Sequence, residues 1–150
     1  MALLWGMSQK DTSAVVRRLL RLGAFLQRTG DRLLGDFRLT QQSFIVLQQI
    51  RENGPLRQKD ICSGLLFEKS NISKITAKLF GLGLIRVARS PHDARASRIS
   101  ITAKGAMVAG RAMKRLDQWN AAWLKPLDSS SARAIREALG QLENLVPREP

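Results

Sequence analysis

Between Glu68 and Lys104 the chain carries Lys69, Lys74, Lys78, Arg86, Arg89, Arg95, Arg98 and Lys104 against only two carboxylates, Glu68 and Asp93. Ammonium and guanidinium groups gathered with so little counter-charge are suited to holding a polyanion, and phosphate is the commonest polyanion charge. The run from Arg86 to Gly105 (RVARSPHDARASRISITAKG) concentrates the chemistry. Two short alternating segments flank a turn-rich basic tip, and within that tip Asp93 stands two residues before Arg95. A carboxylate so placed can orient a guanidinium through a charge-assisted hydrogen bond. The plainer role for Asp93 is turn formation after Pro91. Just upstream, Ser70, Asn71, Ser73, Lys74 and Lys78 offer small polar and basic side chains. Those types suit the floor and rim of a nucleic-acid groove.

Whole-chain composition agrees. The 150 residues include 25 Lys and Arg against 12 Asp and Glu, a formal net charge of +13. That imbalance favours nucleic acid as partner over a neutral substrate. Hydrophobic residues make up 44%, enough for one globular domain with a real core. The only cysteine is Cys62, so no intrachain disulfide can form and a reducing cytoplasm is expected. The apolar stub from Met1 to Met7 lacks the basic start and the length of a signal peptide, and Met7 is an alternative start. No apolar run reaches the roughly 18–20 residues of a membrane span. The expected setting is the cytoplasm, on the nucleoid.

The elements that must position these groups follow from periodicity. A first helix is expected over about Thr12 to Gln27, with Val15, Val16, Leu19, Leu20, Leu22, Phe25 and Leu26 as its apolar stripe. Gly30 to Arg38, with two glycines, reads as irregular. Thr40 can cap a helix over about Gln41 to Arg51, with Phe44, Ile45, Leu47 and Ile50 buried. A short helix over about Gln58 to Leu65 is followed by one over about Ser70 to Leu82, which would pack Ile72, Ile75, Leu79 and Phe80 inward. Leu84 to Arg89 and Arg98 to Ile101 read as paired strands. Thr102 caps a long helix to about Lys125. Asp128 or Ser129 caps a last one, whose Ala132, Ile135, Leu139, Leu142 and Val146 form a narrow stripe suited to helix pairing.

Two short helices, a turn, a polar-faced helix and a basic hairpin make a winged helix-turn-helix. The fold class is therefore mainly α with a small β-hairpin wing. The second helix of the motif must be slim and polar to enter a major groove about 12 Å wide. Ser70, Asn71, Ser73, Lys74 and Lys78 would face the bases. Arg95 at the wing tip would enter the adjacent minor groove. Arg86, Arg89 and Arg98 would touch phosphates, with Asp93 steadying the tip.

From Leu39 to Gly105 the chain resembles the MarR family of bacterial winged-helix regulators. The resemblance rests on Leu39-Thr40, Val46-Leu47, Gly54-Pro55-Leu56-Arg57-Gln58, Ile61, Ser70-Asn71-Ile72-Ser73, Leu79, Gly83-Leu84-Ile85, Asp93-Ala94-Arg95 and Ile101-Thr102-Ala103-Lys104-Gly105, in that order and spacing. It implies one domain in which about 8–38 and 103–147 are dimerisation helices and about 39–102 the winged helix-turn-helix. It implies a homodimer on a pseudo-palindromic duplex, acting as a repressor relieved by a small aromatic or phenolic ligand. The family's wing arginine and aspartate map to Arg95 and Asp93, and its recognition positions to Ser70, Asn71, Ser73 and Lys74. Two departures stand out. Leu66 occupies a turn position where the family usually has glycine, and Ser90-Pro91-His92 replaces a more acidic run. The second should strengthen nonspecific DNA affinity.

Other residues invite function less strongly. Cys62 could act as a redox switch, but it has no resolving cysteine and a packing role is expected. His92 lacks the companions of a metal site. Trp119 and Trp123, at i and i+4, could line a ligand cavity but more simply pack. With no nucleophile elbow, phosphate loop, zinc spacing or paired carboxylates, no enzyme and no cofactor are expected. The rival readings are a low-specificity architectural or anti-silencing DNA protein, a thiol-based redox regulator, and a winged-helix protein-interaction module without a DNA role.

Overall fold

The computed structural model describes residues 6–65, 67–93 and 96–147. In chain order the elements are α1 (Gln9–Leu34), a 3-10 turn (Gly35–Phe37), α2 (Gln41–Asn53), α3 (Gln58–Leu65), α4 (Lys69–Gly81), β1 (Ile85–Ala88), β2 (Arg98–Ile101), α5 (Ala103–Trp123) and α6 (Ser129–Asn144). The mainly helical chain with one antiparallel hairpin is the expected class. Helix starts are set by local chemistry. The Thr40 hydroxyl accepts from the Ser43 amide while the Ser43 hydroxyl accepts from the Thr40 amide, a reciprocal cap on α2. Thr102 caps α5 and Asp128, rather than Ser129, caps α6.

The core is built by α2, α3, α4, the hairpin and the middle of α5. Phe44, Val46, Leu47, Ile50, Ile61, Ile72, Ile75, Leu79, Leu84, Ile85, Ile99, Ala109, Ala112 and Leu116 are all buried there. Each fully buried branched aliphatic contributes about 1.5–3 kcal/mol over its exposed state. Gly105 sits where α5 crosses the start of the hairpin, and a Cβ there would overlap the Leu84 carbonyl oxygen. The hairpin is held to the body through Leu56, which exchanges two backbone hydrogen bonds with Ile99 at 2.9 and 2.7 Å. Arg115 of α5 donates to the Leu33 carbonyl at 3.1 Å and to Asp36 at 2.8 Å, with its guanidinium 4.6 Å from the Phe37 ring centroid. That contact locks α5 to the end of α1.

Several expectations are corrected. The first helix does not stop near Gln27: Gly30 to Leu34, read as irregular, are helical, with Thr29, Gly30 and Leu34 buried. The glycine serves close packing, since a Cβ on Gly30 would overlap the Gln41 side chain. Only the segment from Gly35 to Arg38 departs from the helix, and Arg38 takes a left-handed φ of 59°. Phe80, expected inside, is 58% exposed. The inward stripe of α4 is Ile72, Ile75, Thr76 and Leu79, and Phe80 lies off its axis. Thr76 is tolerated there because its hydroxyl donates to the Ile72 carbonyl at 2.9 Å. Ile45 is half-buried, with Ser43 and Val46 taking the interior instead. The last long helix but one ends at Trp123, two residues before the expected Lys125.

Candidate nucleic-acid interface

The winged helix-turn-helix is assembled as its residues require. Ile61 is buried with Ile72, Ile75 and Leu79, and Leu65 packs against the same cluster. With those positions turned inward, the opposite side of α4 presents Ser70, Ser73, Lys74, Ala77 and Lys78 to solvent, and Asn71 sits half-buried at its edge. No acidic residue occupies the first turn of α4. The exposed Glu68 carboxylate at the N-cap offsets part of the positive end of the helix.

The hairpin register sorts the wing into two faces. Arg86 pairs with Ser100 and Ala88 with Arg98, while Ile85 pairs with Ile101 and Val87 with Ile99. Directly opposed residues share a face, and alternate residues along a strand share it too. Arg86 and Arg98 therefore project from the same face, opposite Ile85, Ile99 and Ile101. Both arginines are exposed, as is Arg89 just beyond β1. Asp93 is exposed in the loop, where its carbonyl accepts from the Ala96 amide at 3.0 Å. Arg95 and Leu66 lie outside the described residues. Among the expected basic residues Lys104 is employed otherwise: its ammonium donates to the Leu82 carbonyl at 2.9 Å, closing the end of α4.

Two residues of this face were not foreseen as part of it. Gln58, the first residue of α3, donates from Nε2 to the Ser73 hydroxyl at 2.7 Å. Gln42, in the first turn of α2, accepts at Oε1 from Asn71 Nδ2 at 3.1 Å. Gln58 figures in the sequence only as the end of the Gly54-Pro55-Leu56-Arg57-Gln58 run, and Gln42 has no signature beyond being polar at a helix start. The first turn of α3 is also fastened by Arg57, whose guanidinium reaches both Asp60 oxygens at 2.9 and 3.1 Å. That hydrogen bonding holds the Asp60 carboxyl below the usual carboxylate range and raises Arg57.

Cys62 lies half-buried against the core cluster, and burial pushes its thiol up. A raised thiol is less ionised at neutral pH and slower to oxidise, which favours packing over sensing. Away from the winged helix, Phe25 of α1 clusters with Trp119 and Trp123 of α5, ring centroids 5.5 to 5.7 Å apart. Phe25 also lines an open groove of about 550 Å³ with Arg18, Arg21, Leu22, Ala24 and Arg28. Among the described residues no helix is long and apolar enough to cross a membrane.

Comparison with known proteins agrees with this geometry. Residues 39–105 match the family model of the winged helix DNA-binding domain. A relative in Bacillus subtilis strain 168, an uncharacterised HTH-type transcriptional regulator named YxaD, is 28% identical over 110 residues, which cover 73% of this chain and 72% of that protein. Among solved structures, Staphylococcus aureus MarR in complex with salicylate and kanamycin superposes with a TM-score of 0.81 at 14% identity, covering 91% of this chain and 93% of that one. CouR from Rhodococcus jostii RHA1, bound to p-coumaroyl-CoA, gives 0.78 at 20% identity, covering 95% and 100%. The wing register, the polar side of α4 and these matches converge on one architecture: residues 39–105 match the winged helix DNA-binding domain, and the chain has the fold of the MarR-family structures it resembles.

Proposed function

We propose that this chain is a homodimeric transcriptional regulator, acting as a repressor at a pseudo-palindromic duplex site and released by a small aromatic ligand. The observation that carries the reading is the pairing of a polar, carboxylate-free side of α4 with two arginines on one face of the wing. In this reading Ser70, Asn71, Ser73 and Lys74 meet base edges in the major groove, while Lys78, Arg86, Arg89 and Arg98 meet phosphates. Arg95 enters the minor groove, with Asp93 steadying the tip.

Dimerisation is supported by α6, which has no buried residue and leaves Ile135 and Leu139 exposed, as are Leu145 and Val146 just after it. Val16, Leu19, Leu20, Leu22 and Leu26 of α1 are exposed as well. So much apolar helix surface needs a cover, and a second copy supplies one. Two lobes so joined would set their recognition helices about 34 Å apart, one turn of duplex.

The groove of Arg18, Arg21, Phe25 and Arg28 supports the ligand part of the reading, since it combines an aromatic wall with three cations. The two structural relatives described above hold salicylate and p-coumaroyl-CoA, each an aromatic acid or its thioester. A ligand there would act by preferring the lobe spacing that does not fit DNA. The net charge of +13 favours a second reading, a low-specificity architectural protein of the nucleoid.

The test is selection of genomic fragments by the purified protein, followed by footprinting at about 150 mM salt, where nonspecific phosphate binding is weakened. The expected result is a protected pseudo-palindrome with two half-sites. Uniform protection with no preferred site would replace the regulator by the architectural protein.

A further inference from the structure

We infer that Gln42 and Gln58 are positioning residues that set the base specificity of the recognition helix, each by fixing the donor and acceptor pattern of one side chain of α4. This rests on the reading in which Asn71 and Ser73 meet the bases. Gln42 accepts from Asn71 Nδ2 at 3.1 Å, and Gln58 donates to the Ser73 hydroxyl at 2.7 Å. The two contacts are opposite in sense, and each leaves a defined face toward the groove.

An unrestrained asparagine can present its carboxamide either way round. With one Nδ2 hydrogen held by Gln42 Oε1, the Asn71 amide flips only if the Gln42 carboxamide turns with it, so the two orientations are coupled. The remaining Nδ2 hydrogen and Oδ1 form one donor beside one acceptor. That pair matches N7 and the N6 amino group of adenine. Ser73, already accepting from Gln58, has its own hydroxyl hydrogen left to donate. By donating that hydrogen it can meet an acceptor such as a purine N7 or thymine O4.

Both glutamines stand on backbone that cannot give easily. Gln42 follows Gln41, whose amide donates to Asp31 at 2.8 Å, and lies inside the Thr40–Ser43 cap. Gln58 follows Arg57, which is tied to Asp60 through its amide and its guanidinium. The recognition side chains are thus braced from two fastened helix starts. Asn71 and Ser73 enter the groove with their rotamers already chosen, and that lowers the entropy lost on binding.

The experiment is selection from a randomised duplex library by the full chain and by variants, reading base discrimination at each position. Thermal melting first establishes that every variant is folded. Asn71→Ala identifies the position that Asn71 reads, and wild type prefers A·T there. Gln42→Met, similar in length but without an acceptor, is expected to lower discrimination at that same position about tenfold, as for a weakened bidentate contact. Gln42→Glu keeps the acceptor and is expected to keep the discrimination, even as its charge weakens overall affinity. At Gln58 the order reverses. Glutamate cannot donate, so Gln58→Glu flattens the position that Ser73→Ala flattens. Combining Gln42→Met with Asn71→Ala should cost no more discrimination than Asn71→Ala alone.

Discrimination unchanged in Gln42→Met, or lost equally in Gln42→Glu, overturns the bracing role while leaving Asn71 as reader. Additive losses in the double variant would make Gln42 a direct contact and overturn it too. If Asn71→Ala flattens no position, the reading of the recognition helix itself fails, and the inference falls with it.

Discussion

Arg57 and Asp60 illustrate how a single pair governs the site at the residue scale. Asp60 is held below the ordinary carboxylate value first by its side-chain hydrogen bond from Arg57. A carboxyl lowered on folding stabilises the native state fully above its unfolded pKa, about 3.9. That contribution is lost as pH falls through the lower folded value. Asp60→Asn should therefore lower the melting temperature at pH 7, and the gap to wild type should close as pH falls below about 4. A gap of constant size from pH 7 to pH 3 would assign the effect to packing instead. Gly105 is a second single-residue constraint. Because a Cβ there meets backbone at Leu84, with little room to yield, Gly105→Ala should cost about 3 kcal/mol in chemical denaturation. Gly35, with open space around its α-carbon, should accept alanine with little change.

At the scale of elements, the proposed function divides the work between α4, which reads, and the wing, which holds. Lys78 stands exposed on α4 as a phosphate contact, so Lys78→Ala should weaken binding to all sequences alike and reduce the slope of log affinity against log salt by about 1. Lys104→Ala should leave that slope unchanged, since its ammonium already closes the end of α4 on the Leu82 carbonyl. Titrations of a labelled duplex at several salt concentrations separate the two. Much of this was legible in advance. Alternation in Ile85, Val87, Ile99 and Ile101 announced the hairpin, and the spacing of Ile72, Ile75 and Leu79 announced which side of α4 faces out. The bracing by Gln42 and Gln58 was not legible, because Gln42 and Asn71 are 29 residues apart and Gln58 and Ser73 are 15 apart. Polar pairs at such separations leave no periodicity to read. Phe80 misled for a related reason: a terminal aromatic fits a helical stripe on paper, but burial depends on whether a neighbouring element reaches that far.

Taken as a whole molecule, the chain keeps its core in the winged helix and leaves its outer helices half-clothed. Ile135 and Leu139 are 47% and 41% exposed on a helix with nothing buried. If a second copy covers that face, the combined change of Ile135 and Leu139 to Glu should yield a folded monomer by size exclusion with light scattering. Affinity for a two-half-site duplex should then fall by two orders of magnitude or more, roughly as expected when linked binding events become separate. A dimer that survives both charges would place the contact elsewhere. The sequence alone determined what depends on near neighbours: the charge surplus, the caps at Thr40 and Thr102, the stripes of α2 and α4 apart from Ile45 and Phe80, the alternating strands and the family resemblance. Those follow from hydrogen bonds and periodicities spanning a few residues. Tertiary packing decided the rest. Gly30 lies inside a helix packed against the Gln41 side chain, Lys104 serves a helix end, and the glutamines reach Asn71 and Ser73 because α2 and α3 begin beside α4. Close packing and long-range hydrogen bonds exist only once the chain is folded, and no local pattern encodes them.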